Sequence, residues 1–150
     1  MSAVADPLVA GLLTRCNFAE ISGTANERVI CAVSGGADSS ALLVLAVAAG
    51  LTVTAVHVDH GLRAGSAAEA DIVAALATRV GAEFRSESVR IEPGPNLEAR
   101  ARAARRAVLG PAALTGHTAD DHVETVLINL LRGAGAHGLG GIQPGPTKPL

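Results

Sequence analysis

The serine and aspartate side chains between residues 34 and 39 are placed to bind a phosphate chain. They stand in the order Ser34-Gly35-Gly36-Ala37-Asp38-Ser39, directly after one apolar run and directly before another. Adjacent glycines let the backbone turn sharply and approach a ligand with no Cβ in the way. The first amides of a following helix would point at this turn, with the positive end of the helix dipole behind them. The residues therefore predict a phosphate-binding turn between a buried strand and a helix.

The composition of this turn narrows the kind of phosphate site. A Walker-type loop requires a lysine after its glycines, and none follows here. The three spaced glycines of a dinucleotide fingerprint are also absent. Asp38 would repel a phosphate unless a cation lay between them, so an anionic ligand here implies Mg²⁺. The alternative is that Asp38 is only a helix N-cap and that the glycines form an ordinary turn.

Two further segments place acids and histidines after predicted strands. Residues 57–63 follow the apolar run 53–56, and residues 117–125 follow a short strand predicted at 112–115. Ligands of an open α/β sheet bind at the carboxyl ends of its strands, which is where both segments begin. The sequence therefore predicts that the two segments and the 34–39 turn lie together.

The acids of the third segment stand at the start of a predicted helix. Asp121 and Glu124 are three residues apart, so they share a helix face and can meet one ligand. The alternative is that they and Asp120 merely cap a solvated helix. His117, in the preceding turn, is expected in the site.

The histidines of the second segment allow two interpretations. His57 and His60 flank Asp59, and either histidine could contact a substrate. A buried, hydrogen-bonded structural histidine explains each of them equally well. His122 and His137 receive no role from the sequence.

These segments together resemble the signatures of the PP-loop ATP pyrophosphatases, enzymes that cleave ATP between its α- and β-phosphates and adenylate a substrate. Residues 34–39 resemble the SGGxDS signature. Residues 57–63 and 117–125 are similar to the VDHGLR and HTxDDQxET motifs of the tRNA(Ile)-lysidine synthetase family, with His122 in place of the glutamine. Residues 133–142 resemble the glycine-rich stretch of that family. The resemblance covers most of the chain from residue 28 to residue 150.

The resemblance implies an activity, its cofactors and its site residues. The reaction would be ATP-dependent ligation of L-lysine to the wobble cytidine of tRNA(Ile) with a CAU anticodon, through an adenylated base, releasing AMP and pyrophosphate. The implied ATP-binding residues are Ser34, Gly35, Gly36, Ala37, Asp38, Ser39, His57, Arg102 and Arg105. The implied catalytic residues are Asp38, His117, Asp121 and Glu124, with Asp38 and Asp121 also holding Mg²⁺.

A basic helix also belongs to this resemblance. Arg102 and Arg105 match the two arginines of the family's ARxxRY helix, and Arg106 replaces its tyrosine. Arginines at i and i+3 share a face, where they could meet ATP phosphates or tRNA. The alternative is a solvated helix face with Glu98 as partner.

Two other functions remain open from the sequence. Another PP-loop enzyme such as a tRNA thiolase is one, but sulfur-transferring relatives generally use additional cysteines, whereas Cys16 and Cys31 have the surroundings of small core hydrophobes. A non-enzymatic ATP-binding module is the other.

The elements that must position these residues alternate between strand and helix. This order predicts an α/β fold with a Rossmann-like, doubly wound, mainly parallel sheet and helices on both faces. Predicted helices occupy 7 to about 16, 66 to about 80, and 97–109, with Asp6 and Asn96 as N-caps of the first and last. Predicted strands occupy 29–33, 53–56, 83–89 and 112–115, and the polar strand at 83–89 is expected nearer an edge.

Length and charge bound the rest of the interpretation. The 150 residues predict one domain, and a net charge of −2 does not suggest a stand-alone RNA binder. No run is apolar enough to span a membrane, and two lone cysteines without a signal segment favour a cytoplasmic location.

The end of the chain carries a further expectation. Residues 147–150 resemble the RPLL segment that leads into the rest of the family's catalytic domain. We therefore expect an N-terminal PP-loop ATPase domain that is incomplete at its C-terminal end and lacks the tRNA-binding domains. Such a chain alone would bind Mg-ATP weakly and make no lysidine, and an uncovered edge or apolar face would favour a homodimer.

Overall fold

The computed structural model describes residues 6–18, 21, 28–59, 66–91, 94–117, 123, 126–127 and 131. Within these residues the elements are α1 (Pro7–Leu13), β1 (Val29–Ala32), α2 (Ala37–Ala48), β2 (Val53–Asp59), α3 (Ser66–Val80), β3 (Glu83–Ser88), α4 (Leu97–Leu109) and β4 (Leu114–Thr115). Residues 123, 126, 127 and 131 are also helical. The glycine- and proline-rich loop predicted at 133–149 lies outside the described residues.

The described strands form one parallel sheet in the order β3-β2-β1-β4. The chain passes from β1 to β2 and then to β3 in one direction. It then crosses back over the sheet and adds β4 on the other side of β1. The strand order therefore reverses between β1 and β4, and crevices at such reversals are where open α/β sheets bind ligands. The predicted fold class is confirmed.

Helices cover both faces of this sheet. On one face α2 and α3 pack over the strands, and the side chains with no exposed surface there are Cys31, Leu43, Ala46, Ala55, Val73, Ala77 and Leu114. On the other face Leu109, near the end of α4, packs with Val56 and Ala113. Burying a large aliphatic side chain contributes about 1.5–3 kcal/mol, so these two clusters hold the layers together.

The first and last helices test the predicted caps. Asp6 caps α1 as expected, because its side chain accepts a hydrogen bond from the Leu8 N–H at 2.8 Å. Asn96 is the N-cap residue of α4, as predicted, but its side chain makes no cap bond. Its left-handed backbone, with φ of 56°, differs from the extended backbone that a capping side chain needs.

Some element bounds also differ from the predictions. Helix α1 ends at Leu13 and not near Cys16, because the Arg15 and Cys16 N–H groups bond three residues back and tighten the last turn. Strand β2 continues to Asp59, since β3 pairs with it through that residue. None of the helices in the described part of the chain is long and apolar enough to cross a bilayer.

Strand β3 lies at an edge of the described sheet, as its polarity predicted. Its side chains are exposed or half-buried. An ion pair joins Glu83 to Arg28, and another joins Arg85 to Glu87 at 3.0 Å. Charged side chains on an edge strand oppose pairing with other chains.

Candidate phosphate-binding site

The 34–39 turn lies at the point where the strand order reverses. It leaves the carboxyl end of β1, which has β2 on one side and β4 on the other. Gly35 has a φ of +89°, a conformation that residues with a Cβ rarely adopt. The glycine therefore makes the sharp turn from β1 into α2 possible, as the sequence predicted.

The backbone amides at the start of α2 are the groups best suited to hold an anion. Gly36 is the N-cap, and the first intrahelical bond runs from the Ser40 N–H to the Gly36 carbonyl at 3.0 Å. The amides of residues 37–39 precede that bond and have no intrahelical acceptor. Together with the positive end of the α2 dipole they form a site for a phosphate group.

The two serine hydroxyls of the turn have different environments. Ser39 is only 8% exposed, and its Oγ accepts the Ser34 N–H at 3.2 Å and donates to the Gly36 carbonyl at 3.1 Å. Ser34 is exposed, and its Oγ lies 3.1 Å from the Ser39 Oγ. Because the single hydrogen of the Ser39 Oγ goes to the Gly36 carbonyl, the Ser34 Oγ donates to the Ser39 Oγ, and it also accepts the Gly36 N–H at 3.4 Å. Both hydroxyls therefore hold the turn, and the Ser34 hydroxyl is the one exposed to solvent. The predicted phosphate contacts of both serines stay predictions.

Asp38 lies exposed in the first turn of α2. The alternative that it caps this helix is wrong, because the N-cap is Gly36 and no side chain caps it. An acid in this first turn is favoured by the helix dipole. Its exposed carboxylate oxygens are also the hard ligands that Mg²⁺ prefers, so the residue fits a metal next to bound phosphate.

His57 lies buried in β2, with only 3% of its surface exposed. Its Nδ1 lies 2.9 Å from the Val33 carbonyl oxygen. A carbonyl oxygen only accepts, so Nδ1 carries the hydrogen and donates it. Of the two interpretations left open by the sequence, this geometry favours the buried structural histidine. An ATP contact by His57 stays a prediction.

Gly116 brings the exit of β4 against the start of α2. A Cβ placed on Gly116 would lie 2.8 Å from the Asp38 carbonyl oxygen and 2.9 Å from the Ser39 nitrogen. Real Cβ atoms do not approach backbone this closely, so the position requires glycine. Gly116 was not among the residues predicted from the sequence to form the site. The available signal was a glycine between the end of a predicted strand and a candidate site histidine.

His117 follows Gly116 and is exposed. Its N–H donates to the Thr115 carbonyl at 3.0 Å, and its Nδ1 lies 2.8 Å from the Thr115 Oγ1. Thr115 therefore holds both the backbone and the ring of His117. Since Gly116 packs against Asp38, the structure brings the His117 turn next to the 34–39 turn. A catalytic role for His117 stays a prediction.

Arg102 and Arg105 lie together on α4, as their spacing predicted. Arg102 is exposed and Arg105 is half-buried. Burial, and then the positive charge of Arg102, lower the pKa of the Arg105 guanidinium from its ordinary value. The pair still carries positive charge near neutral pH, which suits a phosphate. The side chain of Glu98, the alternative partner, lies outside the described residues.

Several predicted site residues lie outside the described residues. They include Asp121 and Glu124, and also His60 and Asp120, whose roles the sequence left open. His122 and His137, which have no predicted role, lie outside the described residues as well. Of the second segment only residues 57–59 are described. Asp59 is the last residue of β2, so it lies at the carboxyl ends of the strands, as the 34–39 turn does. The described part of the site is therefore the 34–39 turn, His57 and the Thr115–His117 turn.

The two cysteines lie in core surroundings. Cys31 is fully buried in β1, and burial raises the pKa of its thiol to about 12. Cys16 is half-buried and packs against the same core. Because the thiol of Cys31 stays protonated near neutral pH, it is no nucleophile in this fold.

The chain is similar to proteins named tRNA(Ile)-lysidine synthase. It is 48% identical to the one from Nocardia farcinica over 120 residues, which cover 76% of this chain and 38% of that protein. It is 43% identical to the one from Solibacter usitatus over 137 residues, covering 82% of this chain and 31% of that protein. The chain thus spans well under half the length of these relatives.

A solved structure and a family profile complete the comparison. The U34-tRNA thiolase NcsA from Methanococcus maripaludis, solved with its [4Fe-4S] cluster, matches with a TM-score of 0.58 at 19% identity, covering 72% of this chain and 44% of that one. At this identity the likeness concerns the fold alone. The profile of the PP-loop domain matches residues 13–148, which include the 34–39 turn and the Thr115–His117 turn. The chain therefore belongs to the PP-loop domain family.

Proposed function

We propose that this chain carries the ATP-binding part of an enzyme that ligates lysine to the wobble cytidine of tRNA(Ile) with a CAU anticodon. The observation that carries the proposal is the 34–39 turn, where three amides without intrahelical acceptors meet an exposed acid at the reversal of strand order. Membership in the PP-loop family implies use of ATP. The identities of 48% and 43% to lysidine synthases support this member of the family.

The first step activates the base. The C2 carbonyl oxygen of the cytidine attacks the α-phosphorus of ATP, and pyrophosphate leaves with the electrons of the broken P–O bond. Negative charge grows on the leaving pyrophosphate, and the amides of residues 37–39 are placed to stabilise it. The exposed Ser34 hydroxyl would add a hydrogen bond by turning its hydrogen from the Ser39 Oγ to the phosphate. The bond network of Ser39 holds these donors in place before the ligand arrives.

The second step forms the new bond. The neutral ε-amine of lysine attacks C2 of the adenylated base, the C2–O bond breaks, and AMP leaves. A base must first take the proton of the lysine ammonium group, and Glu124 is the proposed acceptor. This route uses no covalent protein intermediate, which agrees with the buried and protonated Cys31.

Asp38 and Asp121 would hold magnesium. It would supply positive charge between the phosphate oxygens and the carboxylates. Asp38 fits this role because its carboxylate is exposed and is not engaged in capping α2.

The experiment supplies the complete protein with ATP, labelled lysine and a tRNA(Ile) transcript that carries the CAU anticodon. We expect label in the RNA, in one nucleoside whose mass equals cytidine plus lysine minus water. The matched control is the same transcript with uridine at the wobble position, which should take up no label. A second arm depletes cells of the full-length protein and measures lysidine in digested tRNA(Ile).

The opposing outcomes are distinct. Incorporation of labelled sulfur instead of lysine would assign the chain to the thiolases of the same superfamily. Binding of ATP without tRNA-dependent ATP–pyrophosphate exchange in the complete protein would assign a non-enzymatic binding module. Unchanged lysidine in depleted cells that hold no second such enzyme would also overturn the proposal.

A further inference from the structure

We propose that His57 is a positioning residue that sets the place of the 34–39 turn through the Val33 carbonyl. The inference rests on the proposed function, because it concerns how the same turn holds ATP. The observation is the hydrogen bond from the His57 Nδ1 to the Val33 carbonyl oxygen at 2.9 Å, between residues 24 positions apart.

Val33 lies where the chain leaves the sheet. The pairing of β1 with β2 ends at Ala32 and Val56, and the Val33 N–H still donates to the Val56 carbonyl at 2.9 Å. The next residue is Ser34, the first of the turn. His57 directly follows Val56 on β2, so its ring reaches the Val33 carbonyl from the neighbouring strand. Both polar backbone groups of Val33 therefore bond to β2. Its N–H donates to the Val56 carbonyl, and its carbonyl accepts from the His57 ring.

The hydrogen bond between His57 and Val33 is buried, so its loss is energetically unfavourable. Val33 is 2% exposed and His57 is 3% exposed, so water does not replace the bond when it is lost. A buried carbonyl without a partner is unfavourable, and its peptide would turn toward another donor. Such a turn at Val33 would move Ser34, whose N–H begins the hydrogen-bond network of Ser39. The amides at the start of α2 would then shift away from the phosphate.

The test compares three variants of His57 in the full chain. His57→Leu puts a side chain of similar size in place of the ring and removes the hydrogen-bond donor. His57→Asn keeps an N–H at the place of Nδ1, whereas His57→Gln puts its N–H at the place of Nε2, too far along the side chain. The dissociation constant of Mg-ATP is measured by calorimetry well below the unfolding temperature of each variant. We expect Leu and Gln to weaken binding roughly tenfold and Asn to recover most of the loss.

The control variant is Val53→Ala at the opposite end of β2. Val53 is 3% exposed, so the change removes buried apolar volume and lowers the unfolding midpoint, but it lies far along the strand from the turn. It should leave the dissociation constant unchanged. This separates positioning of the turn from general loss of stability.

Two results would overturn the inference. One is binding of Mg-ATP by His57→Leu or His57→Gln as tight as that of the unchanged chain. The other is binding by His57→Asn as weak as that of His57→Gln, since the Asn donor would then have no effect. If the unchanged chain binds no Mg-ATP, the proposed function fails and this inference falls with it.

Discussion

The 34–39 turn and the arginine pair on α4 are both expected to meet phosphate, but they are built in opposite ways. In the turn the binding groups are neutral amides, and the hydrogen bonds of Ser39 fix their directions. On α4 the binding groups are formal charges on long side chains, with Arg102 exposed and Arg105 half-buried. The turn depends on geometry and the pair depends on charge.

This difference teaches how each region should respond to change. A substitution that moves backbone should harm the turn at any ionic strength, because fixed amides lose alignment and not charge. The contribution of exposed arginines should fall as salt rises, because salt screens charges beyond about 10 Å at 0.1 M. Asp38 is the exception within the turn, since its proposed role is electrostatic.

Replacing Asp38 by Ala should have the largest effect. Adenylation, measured as tRNA-dependent ATP–pyrophosphate exchange by the complete protein, should fall by about 100-fold or more because the metal loses a ligand. The free energy of unfolding should fall by no more than about 1 kcal/mol, since the Asp38 carboxylate stabilises the fold only through its interaction with the α2 dipole.

The matched control for Asp38 is Glu69→Ala. Glu69 is likewise an exposed acid in the first turn of a helix, α3, and its loss should leave exchange unchanged. Exchange by Asp38→Ala at the rate of the unchanged protein would remove the proposed metal role.

Gly116→Ala should break the contact between the two turns. The new Cβ would lie 2.8 Å from the Asp38 carbonyl oxygen, and backbone cannot move aside as a flexible side chain can. We expect a loss of about 1–3 kcal/mol of stability. We also expect Mg-ATP to bind several-fold more weakly, by calorimetry, because the start of α2 is displaced.

Gly11→Ala is the control, since a Cβ there meets nothing within 4 Å and the residue lies inside α1. It should stabilise the chain by about 0.5–1 kcal/mol and leave ATP binding alone. Equal ATP affinity in the two glycine variants would contradict the importance of the contact at Gly116.

Ser39→Ala and Ser34→Ala should separate framework from ligand contact. Ser39→Ala should lower the free energy of unfolding in urea by about 1–3 kcal/mol, because the Ser34 N–H loses its acceptor and the Gly36 carbonyl loses its donor, the buried Ser39 hydroxyl. Ser34→Ala should lower it less, by about 0.5–1 kcal/mol, since water can reach this exposed position and replace the hydroxyl as partner of the Ser39 Oγ and the Gly36 N–H. A larger stability loss for Ser34 than for Ser39 would reverse the roles assigned to them.

The sequence predicted those parts of this molecule that depend on neighbouring residues. Alternating apolar runs gave the parallel sheet, and the polar run at 83–89 gave its edge. The glycines at 35 and 36 predicted the turn, because a sharp turn between β1 and α2 requires a left-handed backbone that glycine adopts readily, as Gly35 does.

What the sequence could not give depends on contacts between distant segments. Ser39 points into the turn and Gly116 touches α2, and neither fact follows from residue type or spacing. His57 fitted a ligand contact and a structural role equally well until its carbonyl partner on β1 was known. Asn96 is the N-cap of α4 but its side chain makes no cap bond, because the chain enters α4 through a left-handed residue, which its sequence alone did not require.

The smallest expected effect is on α4, where Arg102→Gln removes one charge of the pair. We expect tRNA(Ile) to bind the complete protein a few-fold more weakly at low salt. The slope of log affinity against log salt should become shallower by about 0.7–0.9, the value for one lost phosphate contact. Arg79→Gln, which removes an exposed arginine from α3, should leave that slope unchanged. Arg102→Gln also removes the like charge that lowers the pKa of Arg105, so the chain should lose no stability. A slope for Arg102→Gln equal to that of the unchanged protein would mean that the arginine pair lies on a solvated helix face. The 34–39 turn would then be a binding site and the arginine pair would not.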